Sequence, residues 1–446
     1  MEDVLWRIIQ TRPFQRLRRI KQLGFSDFVY PGATHSRLLH SVGVFHTARR
    51  LMRVIEKYIP QKDARVDQAL AATLVHDLGH GPFSHAFEKI GDRFGLKMAN
   101  HEAVSDVLIR NGEIAEEFKA MGSGFHNDVA DMVSGGGTPT IYSAVVSSQF
   151  DADRLDYMRR DRLMTGTQHA GIDFEWLMEN LEVGEVETNV GETRLRPVQT
   201  FVLSRKAIFA AEAYVLGLFQ LYPTVYFHKA TRGAEQIYTE LLARAITLIK
   251  DGSVNRTGLP DTHPLVKFAR TPDDIECALA LDDTVIWGAL ALMAESDDDW
   301  ISKFAERLRD RKLYKCIDLR AKIAHDRTDS DALSPQADTV CANVKDELGK
   351  CLQEWQAKNP DAPPRILMDE VERSPYKPMT EDRKGPLNQI NIRTEGDRLE
   401  DLAKRSSVVA ALKAYKAFRV YHADGDEDAR RKITAIMDSG IRTWPA

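Results

Sequence analysis

Cysteine is scarce in this 446-residue chain. There are four (Cys277, Cys316, Cys341 and Cys351), far apart and confined to the C-terminal half, with no CxxC spacing. That pattern argues against a disulfide framework and a zinc ribbon, and predicts reduced thiols in a cytoplasmic protein. An excess of basic charge is also missing. The formal net charge of −5 argues against the broad positive field of a dedicated nucleic-acid binder. No stretch approaches the roughly 18 consecutive apolar residues of a membrane span. The opening "MEDVLWRIIQTRPFQRLRRIKQLG" starts acidic and has no unbroken apolar core, so neither export nor membrane insertion is expected. Internal repeats and low-complexity tracts are not evident.

What the chain does have is 43% hydrophobic residues, enough for a large core in about two or three domains, and an uneven distribution of histidine. Of 13 histidines, His35, His40, His46, His76, His80, His85 and His101 crowd into one stretch. Chemistry is therefore sought in the N-terminal third. Its centre is "LVHDLGHGPFSHAFE", where an apolar run leads into His76, Asp77, His80 and His85. Burying so many titratable groups is costly unless a metal ion, a phosphate or mutual hydrogen bonds compensate them.

Helical spacing dominates residues 1–180. It runs through Leu17, Ile20, Lys21 and Leu23, and through Val42, Phe45, Leu51, Met52 and Ile55, with breaks at Gly24, Pro31-Gly32, Pro60, Gly81-Pro82 and Asn111-Gly112. Asn100 is placed to cap a helix that runs through Val104 and Val107 to Ile109. A hairpin is expected near 182–198, and helix from about 204 to 249. Residues 251–264 and 325–338 read as loops. Beyond them "PPRILMDEV" and "LNQINIRTE" read as strands, and "EDLAKRSSVVAALKAYKAFRVYH" as helix. The expected architecture is mostly α: a helical bundle over 1–260, a helical connector over 261–324, and a smaller α+β region over 325–446.

A divalent cation in a hydrolase takes imidazole and carboxylate ligands and keeps positions open for water and substrate. Adjacent His76 and Asp77 cannot face one way within a regular helix. At a last helical turn, with Gly79 and Gly81 relaxing the backbone, both can reach one ion. The best upstream partner is His40, which shares a face with Arg37 and Val44 and has Gly43 to permit close helix approach. The best downstream partner is Asp153 in "FDADRLDYMRRD". A lone His-Asp pair arises often by chance, and histidines on a helix face can simply be core; the combination is the specific signal.

His40, His76-Asp77 and Asp153 resemble the H…HD…D signature of the HD-domain phosphohydrolases. "FQRLRRIKQLG", "YPGATHSRLLHSVGV", "HDLGHGPFSH", "NHEAVS", "DADRLDYMRRD" and "RKLYKC" together resemble the dNTP triphosphohydrolase branch, in family order. The resemblance implies an HD helical bundle that hydrolyses a dNTP to deoxynucleoside and triphosphate by attack of a metal-activated water on the α-phosphorus. It implies His40, His76, Asp77 and Asp153 as metal ligands, with iron, manganese, nickel or zinc suiting the set and Mg²⁺ bridging phosphates. His101 matches the catalytic histidine, and Glu88 stands where an acidic partner, usually Asp, orients it. Arg37, His80, His85, Arg154 and Tyr157 match phosphate contacts. Gln22, Leu23, Asp161 and Tyr226 match the sugar-selecting set, which disfavours a 2′-hydroxyl.

The resemblance departs at Leu218, where animal members carry a phosphate-binding Arg, and at Gln10, where they carry a guanine-reading Asp. The glycine-rich segment ahead of that helix has no counterpart here. Gln15, Arg18, Arg311 and Lys315 match effector contacts, so a nucleotide effector pocket without guanine specificity is expected, in a homo-oligomer (dimer, tetramer or hexamer). Two other readings compete: an HD phosphohydrolase acting on monophosphates, ribonucleotides or a signalling nucleotide, and a nucleic-acid or partner-binding protein with an inactive HD site. Gln22, Tyr157 and Asp161 favour the dNTP reading over the first; the acidic net charge and the complete ligand set weigh against the second.

Overall fold

Capping side chains and apolar spacing set the helices that carry the site. The computed structural model describes residues 1–61, 63–136, 139–186, 189–190, 193–194, 197–374, 376 and 389–444. Helix α1 (Arg37–Tyr58) starts at Ser36, whose hydroxyl accepts the Leu39 amide. Helix α2 (Ala64–Val75) is capped by Asp63, and every residue from Ala69 onward is buried. It ends at His76. Helix α3 (His85–Phe94) follows a tight turn, and α4 (His101–Arg110) starts under the Asn100 cap, whose Oδ1 accepts the Ala103 amide at 2.9 Å. Helix α5 (Ala152–Thr165) is capped by Asp151 through the Arg154 amide at 2.7 Å.

Strands β1 (Leu181–Val186) and β2 (Val198–Ser204) pair antiparallel, the hairpin expected there; 187–188, 191–192 and 195–196 of its tip lie outside the described residues. Helix α6 (Ile208–Leu221) widens into a π-helical turn at Tyr222–Tyr226, where Pro223 supplies no amide donor, and α7 (Lys229–Lys250) follows. The run Arg205–Tyr226 is long and apolar enough to cross a membrane by length and composition, but half of it is buried within the protein. It packs Ala211, Tyr214, Val215 and Leu218 into the core around α5.

Helix α8 (Asp283–Ala294) precedes a region of short strands: β3 (Lys315–Asp318), helix α9 (Pro335–Lys358), β4 (Ile366–Arg373), β5 (Asn391–Arg393), β6 (Leu399–Asp401), β7 (Tyr415–His422) and helix α10 (Glu427–Arg442). Strand β5 runs parallel to β2 and extends the first sheet in the order β1-β2-β5-β6. Strand β7 lies between β3 and β4, antiparallel to both. Both sheets therefore join segments far apart in sequence.

Three sequence expectations change. Helical spacing over Leu17–Leu23 is not a helix: Arg12–Arg16 tightens into a 3-10 turn at Leu17–Arg19, and Ile20 is extended, so the apolar residues reach the core from a turn. The expected loop 325–338 contains helix Asp329–Ala332 and the start of α9. Its polar residues are caps: the Thr328 and Ser334 hydroxyls accept the Asp331 and Ala337 amides at 3.1 and 3.2 Å, and Pro335 opens α9. The expected helix at 400–422 is two short helices followed by β7. That strand is covered on both faces, with Phe418 and Val420 packed toward α9 and α10 and Tyr421 toward α7, so its polar alternation is lost and it mimics a helix.

Candidate active site

A cavity of about 650 Å³ opens among α1, α2, α4, α5 and the π-helical turn, within the range of small-molecule sites. Its floor is the His-Asp pair at the end of α2. Gly43 and Gly79 bring the walls together. A Cβ on Gly43 would lie 2.2 Å from Asp156 Oδ1 on α5, and one on Gly79 would lie 2.1 Å from the carbonyl oxygen of His101.

His40, His76 and Asp153 present ligand atoms within 4.8 Å of one another. Asp77 completes the set, with Oδ1 3.3 Å from His76 Nε2 and Oδ2 3.8 Å from His40 Nε2. His40 Nδ1 pairs with Asp156 Oδ2 at 2.8 Å, and His76 Nδ1 donates to the Thr73 carbonyl at 2.9 Å. Those bonds fix both rings with Nε2 inward, and neither Nε2 has a hydrogen-bond partner among the described residues. His40 Nε2 does lie 2.9 Å from Asp153 Oδ1, but without hydrogen-bond alignment. Burial alone would lower the His40 imidazole; Asp153, Asp156 and Asp77 outweigh it and push it up to about 10. The cluster demands a positive charge. Two oriented imidazoles and two carboxylates fit a divalent ion, which would replace that proton.

The second cluster is His80, His85, Glu88 and His101, whose ligand atoms also lie within 4.8 Å. Here Glu88 bonds two of the three rings, while His80 Nδ1 stays buried with no hydrogen-bond partner among the described residues. Glu88 takes His85 Nδ1 at 2.8 Å, takes His101 Nδ1 in a shorter bond, and accepts the His101 amide at 3.3 Å. Burial would raise the Glu88 carboxyl, yet the bonds from His101 and His85 hold it well below the usual range. His80 stacks on His101, with centroids 4.2 Å apart and planes 9° apart. Burial and the Arg37 guanidinium hold His80 well below an ordinary histidine.

On the same cavity wall Asp161 is buried between His35 Nε2 (2.9 Å) and the Tyr226 hydroxyl (2.9 Å). Burial and that carboxylate keep the Tyr226 phenol protonated. Gln22 and Leu23 line the same space, and Gln22 Oε1 is buried with no partner among the described residues.

A family model of the HD domain matches residues 37–158, the span that holds both clusters. The uncharacterized protein YwfO of Bacillus subtilis is 32% identical over 71% of this chain and 69% of its own length. The deoxynucleoside triphosphate triphosphohydrolase SAMHD1 of Mus musculus is 30% identical over 70% of this chain, which spans 51% of the mouse protein. A crystal structure of a phosphohydrolase from Bacteroides thetaiotaomicron superposes with a TM-score of 0.68, at 25% identity over 94% of both chains. The chain belongs to the HD-domain phosphohydrolase family.

An HD phosphohydrolase is a hydrolase that binds a divalent metal, and the His40–His76–Asp77–Asp153 cluster has the donors for one. Most residues expected at the HD site line its cavity: Gln22, Leu23, Arg37, His80, His85, His101, Tyr157, Asp161 and Tyr226, besides the four cluster residues. Two do not. Glu88 sits behind His101, and Arg154 turns its guanidinium to Asp151 (2.7 Å) and the Ser148 carbonyl. The residues expected to hold an effector are each bonded within the protein: Gln15 accepts Arg18 Nε at 2.6 Å, Arg311 donates to the Phe28 carbonyl and Lys315 pairs with Asp424. No hydrogen bond or ion pair joins Gln15 or Arg18 to Arg311 or Lys315 among the described residues.

Sequence reasoning missed several HD-site supports. Asp156 lies one turn after Asp153 and could have been found by helical spacing. His35 was visible only as one of many histidines. Asp283 came with no local signal: from α8 its Oδ1 accepts the Phe83 amide at 2.7 Å and its Oδ2 the Lys21 amide at 2.8 Å. Phe83 and Ser84, between the His-Asp turn and α3, both have left-handed φ (57° and 56°). Such strain persists only where surrounding contacts impose it; Asp283 on Phe83 and Arg37 Nε on Ser84 Oγ at 2.9 Å supply them.

Proposed function

We propose that this HD phosphohydrolase is a dNTP triphosphohydrolase, cleaving its substrate to deoxynucleoside and inorganic triphosphate. The observation that carries the reading is Gln22 Oε1, a buried acceptor without a partner among the described residues, in the same cavity as Asp161 and the His40–His76–Asp77–Asp153 cluster. A buried lone acceptor is costly, and a sugar hydroxyl held between Gln22 and Asp161 would satisfy it. Leu23 and the Tyr226 ring would crowd a 2′-hydroxyl and leave it unpaired, a discrimination of about 10- to 200-fold.

A divalent ion held by His40, His76, Asp77 and Asp153 would lower the pKa of a bound water and polarise a phosphoryl oxygen. His101 is the general acid in this reading. With Nδ1 held by Glu88, its Nε2 is free to give a proton to the departing 5′ oxygen. His80 and Tyr157 serve as neutral donors to phosphate oxygens, and Arg37 and His85 add cationic or donor character near the transferred group. A homo-oligomer and a nucleotide effector remain part of the proposal.

The test is incubation with each of the four dNTPs and each NTP, singly and in pairs, with Mn²⁺ or Mg²⁺, and chromatography of the products. Inorganic triphosphate from dNTPs is the expected result. Orthophosphate or pyrophosphate, or equal turnover of NTPs, would move the protein to another HD phosphohydrolase class.

A further inference from the structure

Three arginines line the cavity, and their charges are not balanced alike. Arg37 is paired with Asp77. Arg232 is paired with Asp369 and Glu235. Arg373, at the end of β4, has no carboxylate within ion-pair distance among the described residues. Its one hydrogen bond among the described residues runs from Nε to the Tyr222 hydroxyl at 2.9 Å, and its guanidinium lies 5.3 Å from the Tyr222 ring. Nε and the ring fix the planar group, and neither terminal nitrogen has a hydrogen-bond partner among the described residues. Tyr222 opens the π-helical turn that also presents Tyr226, and the two rings lie 5.5 Å apart.

A guanidinium held in place on a cavity wall, with no counter-charge among the described residues, is an anion site. A neutral base edge would satisfy its donors but leave its charge, whereas a phosphate accepts the two-pronged donor and cancels the charge. We infer that Arg373, positioned by Tyr222, binds the terminal phosphates of the substrate and so sets a requirement for a polyphosphate chain. The inference rests on the nucleotide-hydrolase reading of the same cavity. It also gives the C-terminal sheet a part in a cavity otherwise lined by residues before 236.

The test compares the metal-loaded protein with Arg373→Gln, Arg373→Lys and Tyr222→Phe in two measurements. The first is binding of inorganic tripolyphosphate by calorimetry, which needs no turnover. Arg373→Gln should weaken it about tenfold, the loss of one charge-assisted contact. Arg373→Lys should fall between, because it keeps charge without the fork, and Tyr222→Phe should weaken binding less than Arg373→Gln. The second is turnover of a dNTP against the p-nitrophenyl ester of thymidine 5′-monophosphate, which has no terminal phosphates. The dNTP KM should rise about tenfold in Arg373→Gln with kcat nearly unchanged, and the ester should be unaffected. Unchanged tripolyphosphate affinity, equal losses on both substrates, or a change only in the ranking of the four bases would overturn the inference. If wild type cleaves no dNTP yet binds tripolyphosphate in an Arg373-dependent way, the dNTP reading fails and the anion site stands.

Discussion

In one histidine cluster of the cavity, His40 and His76 each commit Nδ1 to the protein and leave Nε2 buried without a hydrogen-bond partner among the described residues; in the other, Glu88 takes Nδ1 of both His85 and His101. Both clusters combine imidazoles with carboxylate and bring their ligand atoms within 4.8 Å of one another. The first arrangement costs free energy until something binds at the inward nitrogens. In the second, the Glu88 carboxylate already bonds His85 and His101 and sets the orientation of both rings, and His80 Nδ1 alone is left without a partner among the described residues. The two clusters therefore differ in where their unsatisfied atoms lie: two inward Nε2 atoms face carboxylates in the first, against a single His80 Nδ1 in the second.

That comparison is easiest to break at its extremes. His76→Ala or Asp77→Ala should abolish phosphohydrolase turnover, by about 10⁴-fold or more, with circular dichroism unchanged. His101→Ala should lower kcat by about 10²- to 10⁴-fold, the range for a general acid, without loss of metal. Glu88→Gln should lower kcat by roughly 10- to 100-fold, again with metal retained, and shift the pH profile of kcat; an unchanged profile would argue that Glu88 only fills space. Asp156→Asn, behind His40, should weaken metal affinity by about 10- to 100-fold, an effect that excess metal rescues in titrations followed by activity. Rescue of Glu88→Gln by metal would blur the distinction between the clusters.

The smallest effect concerns the strained turn that joins them. Asp283→Ala leaves the Phe83 and Lys21 amides unpaired and should cost about 2–4 kcal/mol of stability in urea unfolding. Burial pushes the Asp283 carboxyl up from 3.8 to about 6. A carboxyl raised in the folded state holds an extra proton there, so its contribution is full below the unfolded value and is lost as pH rises through 6. The variant should lose that slope between pH 4 and 6.

The metal cluster was legible because its parts carry local signals: an apolar helix ending at His76-Asp77, glycines at 43 and 79, and an acidic pair at the start of α5. The supports were less legible because they come from distant segments. Asp283 lies 200 residues from the Phe83 amide it holds, and no spacing rule links them. Arg373 sits at the end of a strand whose central neighbour, β7, reads as a helix. Capping residues misled in the opposite direction, turning the start of α9 into an apparent loop. Helical spacing at Leu17–Leu23 failed because core-facing residues in a tight turn can share a helix's period over so short a stretch.

The most direct measurement is metal content per chain, by inductively coupled plasma mass spectrometry, in wild type, His76→Ala and His101→Ala purified side by side. One ion per chain is predicted in wild type and in His101→Ala, and none in His76→Ala. An ion retained without His76, or lost with His101, would contradict the assignment of the two clusters.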